Sequence, residues 1–125
     1  VQNGEEQMID GLTFNMLRMA NLNRLPEFRN AKGELAHKYD KWSLNDWMVA
    51  ITGELGEAAN VLKKIRRGDF SLEDARPKLI QEFADVIIYL DIMSAEAGID
   101  LGEAVIETFN VKSEVIKSQI RLRRR

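Results

Sequence analysis

Two pairs of acids stand out for the chemistry they permit. Glu54 and Glu57 lie in the run GELGE, and Glu82 and Asp85 in the run EFAD, each pair three residues apart. At about 100° per residue, that spacing puts both carboxylates of a pair on one helix face. A single such pair means little, because most acids at this spacing are solvated helix surface. The neighbours set these pairs apart. With Glu54 at the origin of a helical wheel, Trp47 and Ile65 fall at about 20°, Ala58 at about 40°, Ile51 at about 60° and Val61 at about 340°. Glu54 is therefore central in an apolar stripe and is expected to be the most deeply buried of the four. Glu57 lies toward the edge, beside Lys64. With Glu82 at the origin, Val86, Tyr89 and Met93 flank it, and Tyr89 and Ile92 flank Asp85. The polar sector of that helix, near Ala84 and Asp91, is on the opposite side. The acids thus occupy the faces that should be buried.

Buried carboxylates are costly without partners, and four converging negative charges are worse. They must take up protons, pair with lysine or arginine at a helix interface, or be neutralised by cations. The chain has no cysteine and one histidine, His37, which excludes a thiolate site and a multi-histidine centre. Hard, oxygen-only ligands suit Mg²⁺ or Mn²⁺. A di-iron carboxylate bundle needs Glu-x-x-His motifs, and neither pair offers one. There is no GxxxxGK[ST] phosphate loop.

Helices must carry these acids. Two prolines and little β-branched alternation favour an all-α, four-helix bundle-like fold. Leu12, Met16, Met19, Leu22 and Leu25 recur at helical spacing, so a first helix is expected over about 12–25, closed by Pro26. Residues 26–42 read as a loop containing Gly33 and His37. Ser43 caps a second helix over about 44–66, which ends in Lys63, Lys64, Arg66 and Arg67 before Gly68. Ser71 caps a third, over about 72–97, with Pro77 expected to kink or split it and Gly98 to end it. Asp100 with Glu103 forms the next cap signature, opening a fourth helix to about 119. The short link between the second and third helices makes them antiparallel.

The length of 125 residues fits one domain, 1–125, with 1–10 and 120–125 expected to be flexible. A formal charge of −2 gives no general attraction to nucleic acid, and the basic end, Arg121 to Arg125, reads as a solvated tail. No apolar run is long enough to span a bilayer, so a cytoplasmic protein is expected. The third helix is apolar over most of its circumference, more than a short four-helix chain can cover, so a homodimer or homotetramer is expected.

The runs WMVAITGELGEAANVLKKIRRGD and IQEFADVIIYLDIMSAEAGIDLGEAV resemble the MazG-like branch of the all-α NTP pyrophosphatases, relatives of the dimeric dUTPases and dCTP pyrophosphatases. That family carries ExxE on one helix and ExxD on the next, matched by Glu54–Glu57 and Glu82–Asp85 over about 42–112. The resemblance implies that these four acids bind Mg²⁺, which binds a nucleoside triphosphate split into monophosphate and pyrophosphate, a house-cleaning activity on nucleotide pools. It implies substrate roles for Tyr89 and, in the segment TFNVKS, for Asn110 and Lys112, although Thr108 stands where the family commonly has lysine. Lys63 and Lys64 are phosphate contacts by position, Trp42 a candidate for stacking on a base, and Glu54 a candidate general base. Trp47 is expected in the core. Members of the family are typically dimers or tetramers with pockets near the subunit boundary. The competing expectation is a metal-free helical interaction module, antitoxin- or adaptor-like, whose acids are interface ion pairs.

Overall fold

The computed structural model describes residues 11–29, 32–34 and 42–124. Residues 1–10, most of the segment 30–41 with His37, and Arg125 lie outside the described residues. The described chain is all-α: α1 (Phe14–Arg24), a 3₁₀ turn (Leu25–Glu27), α2 (Leu44–Arg67), α3 (Leu72–Glu96) and α4 (Leu101–Val115), with no strand among the described residues. No helix is long and apolar enough to cross a membrane.

Local chemistry sets the helix ends. Ser43 and Ser71 each accept a hydrogen bond from the backbone N–H three residues on, and Asp46 and Asp74 bond back to the cap N–H. Both therefore form capping boxes, which satisfy donors the first turn would otherwise leave free. Gly68 ends α2 at φ 90°, a left-handed conformation that favours glycine. Pro77 does not split α3, which runs unbroken from Leu72 to Glu96 through it. Its ring removes the bond to the Glu73 carbonyl, and Glu73 is exposed, so solvent can serve that carbonyl. Asp100 caps α4 through Glu103 N–H, but the Glu103 carboxylate turns to Arg124 instead of back to the cap. α4 stops at Val115, about one turn earlier than expected, because Lys117 adopts φ 60° and Ser118 N–H bonds to the Ser113 carbonyl.

The fold is built on the α2–α3 hairpin, whose contact is the most extensive between the described helices. Pairings of Trp47 with Tyr89 and of Glu57 with Lys78 run in opposite chain directions, which makes the two helices antiparallel. Trp47, Ile51 and Ala58 of α2 and Ala75, Leu79 and Ile92 of α3 form the buried core.

α1 lies on the far side of α3, and polar groups fasten it. Asp91 is 1% exposed, accepts from Arg18 Nε at 3.1 Å and Asn21 Nδ2 at 3.0 Å, and so sits in the core instead of the solvated sector expected for it. Arg18 also donates to the Ile99 carbonyl. The expected apolar stripe of α1 docks only in part: Met16 and Leu25 are half-buried, Leu12, Met19 and Leu22 are exposed, and Asn21 is the buried residue of the helix. α4 packs against α1, where Phe14 approaches so closely that a Cβ on Gly102 would lie 3.0 Å from its Cβ.

Candidate metal centre

Glu54, Glu57 and Glu82 come together on the α2–α3 seam, each offering a carboxylate oxygen within 4.8 Å of the others. The capped hairpin explains this, because antiparallel helices bring the middle of α2 opposite the middle of α3. Glu82 is 2% exposed, Glu54 half-buried and Glu57 mostly exposed. Glu82, not Glu54, is therefore the most deeply buried of the four. The wheel ranks residues about one helix axis and cannot tell which side of the seam closes over an acid. Asp85, half-buried one turn along α3, lies close enough to act electrostatically on Glu54 but outside the group of three.

One cation serves this cluster among the described residues. Lys78 Nζ lies 2.7 Å from Glu82 Oε1 and 3.6 Å from Glu57 Oε2. Sequence reasoning passed over Lys78, although its place four residues before Glu82 puts it on the same face of α3. One ammonium cannot balance the acids. The Glu54 carboxyl is pushed up to about 7, chiefly by sharing a hydrogen bond with Glu82, with desolvation and the charges of Glu82, Glu57 and Asp85 acting the same way. Glu82 moves below the usual range, held ionised by Glu54 and Lys78. Its Oε2 is buried and receives no hydrogen bond among the described residues.

This donor set fits a hard divalent cation. It is all oxygen, it comes from two rigid helices, and one buried carboxylate oxygen lacks a donor. Glu54, Glu57 and Glu82 would hold such an ion, with Asp85 next to them.

The other expected site residues are distributed unevenly. Trp42 meets Trp47 edge-on at 4.6 Å, and Trp47 lies 6.1 Å from Tyr89. Trp47 is 1% exposed, as expected of a core residue. It stands two turns before Glu54, and Tyr89 two turns after Glu82, so the aromatic group lies about 10 Å along the seam from the acids. Lys64 is half-buried in the last turn of α2 and forms no ion pair among the described residues. Asn110 is engaged elsewhere: its amide donates to the Leu122 carbonyl and accepts from Leu122 N–H, tying the C-terminal segment to α4. Lys112 is exposed near the end of α4. The structure brings neither Asn110 nor Lys112 to the acids.

Comparison with protein-family models, curated proteins and solved structures finds no match to the chain.

Proposed function

We propose that the chain is a Mg²⁺-dependent hydrolase that splits nucleoside or deoxynucleoside triphosphates into monophosphate and pyrophosphate. The observation that carries the reading is the seam cluster: three carboxylates from two helices, one nearly fully buried, with one oxygen lacking a donor and a single lysine serving them among the described residues. A bound divalent ion would lower the pKa of a water ligand and offset charge on phosphate oxygens. Glu54, Glu57 and Glu82 would hold that ion, and Asp85 would add to the negative field that attracts it. Glu54, beside the buried Glu82 on the seam, is the candidate to take the proton from that water. Trp42, edge-on to Trp47 at the end of the seam about 10 Å away, would stack on a base, and Tyr89, on Trp47, would line the same end. Attack at the α-phosphorus comes from the resemblance to the MazG-like all-α pyrophosphatases.

The same reading includes self-association. Lys64, Asn110 and Lys112 would meet substrate in such an assembly, where α4 of one copy approaches the seam of another.

Lys78 favours a second reading, a metal-free helical interaction module whose acids are simply paired. The two part in one assay. With a panel of nucleoside triphosphates, the hydrolase releases pyrophosphate in Mg²⁺, loses this activity in excess chelator, and loses it in Glu82→Gln. Absence of turnover in Mg²⁺ across the panel supports the interaction module.

A further inference from the structure

Lys78 stands where a bound cation would meet opposition. Its ammonium lies 2.7 Å from Glu82 and 3.6 Å from Glu57, two of the three carboxylates that converge on the seam. It is held to one acid that cannot move, since Glu82 is 2% exposed, while its own side chain is half exposed. A divalent ion bridging Glu57 and Glu82 and an ammonium contacting both would sit a few ångströms apart. Like charges at that range in a partly buried site repel strongly. The lysine has an exit, because its long stem can carry the ammonium into solvent. The acids have none.

We propose that Lys78 is a built-in competitor for the cation: it neutralises Glu82 and Glu57 when no ion is bound and must leave them when one binds. The inference rests on the metal reading above and adds to it a residue that sets the affinity of the site. In the cation-free chain the ammonium limits repulsion across the seam and so keeps the hairpin closed. Its displacement then subtracts from the binding free energy of the ion. A site with this device half-fills at a higher concentration of free cation than the same acids would without the lysine.

The test is a calorimetric titration of the full chain with Mn²⁺. Lys78→Met and Lys78→Gln remove the charge while keeping a straight side chain suited to a helix. Arg66→Met, on the exposed end of α2, controls for the loss of a distant positive charge. Both Lys78 variants are expected to bind Mn²⁺ about tenfold tighter than the wild type, a difference of about 1.4 kcal/mol, with Arg66→Met within about twofold of it. Without cation they should melt below the wild type, and Mn²⁺ should raise their melting temperatures by more. Binding seen only in the Lys78 variants is the extreme of the same result. Reduced stability with unchanged or weaker Mn²⁺ affinity would overturn the competitor role and leave the metal reading standing. No binding by the wild type or by either variant would overturn both.

Discussion

At the scale of single residues, the shared proton between Glu54 and Glu82 has a measurable sign. Glu54 rises from its ordinary 4.5 to about 7, so between those values the folded protein keeps a proton that the unfolded chain has released. This cluster's contribution to stability therefore falls as pH rises through that window. Glu82 shifts the other way, and its contribution is lost only as pH falls through its lowered value. Asp100, held low by the Glu103 N–H and Arg124, also titrates below the window. In chelator, the melting temperature should fall from about pH 5 to about pH 8, and Glu54→Gln should flatten that slope. Mg²⁺ should stabilise more at the higher pH, where it need not displace the proton. Differential scanning fluorimetry at both pH values checks this; a rising melting temperature in chelator contradicts it. Glu54 and Glu82 were readable from sequence because each sits amid apolar neighbours at helical spacing, and Glu57 because it stands three residues from Glu54 on the same face. Lys78 had a signal too, the four-residue step to Glu82, but that step recurs on any charged helix surface. Glu82's rank as the most buried acid depended on the partner helix and could not be read from either wheel.

At the scale of elements, capping residues made α2 and α3 legible: Ser43, Ser71 and Gly68 are where the sequence suggested. The docking of α1 was not legible. Its apolar spacing pointed to Leu12, Met16, Met19, Leu22 and Leu25, of which only Met16 and Leu25 are even half-buried, while Arg18 and Asn21 hold the helix to Asp91. The wheel put Asp91 opposite Glu82, and that is correct; the error was to equate the opposite side with solvent, because α1 covers it there. Asp91 is nearly fully buried while Arg18 keeps partial access to water. Removing the arginine leaves a buried charge with only Asn21 to serve it among the described residues. Arg18→Ala should destabilise by about 3 kcal/mol, the low end for breaking a buried pair. Urea denaturation measures this, and a loss under about 1 kcal/mol would class the bond with surface ion pairs.

At the scale of the whole molecule, α1 covers the far face of α3 only toward its C-terminal half. Ile80, Phe83 and Ile87, on neighbouring turns, remain about half exposed or more, and Leu44, Met48, Leu55 and Leu62 of α2 are exposed as well. The sequence foretold more apolar helix surface than four short helices can cover, and this is what the single chain displays. We propose that a second copy covers it across a two-fold axis. Phe83→Glu with Ile87→Lys should convert the wild-type oligomer to a folded monomer in sedimentation velocity. A wild type that sediments as a 14.3 kDa monomer would rule out the assembly.

Phosphorus NMR of products formed in water labelled with heavy oxygen distinguishes Mg²⁺-dependent attack at the α-phosphorus of a nucleoside triphosphate from attack elsewhere. Pyrophosphate and monophosphate are the expected products, with the label in the monophosphate and no reaction in excess chelator. Label in the pyrophosphate, orthophosphate as the main product, or undiminished turnover in chelator would contradict it.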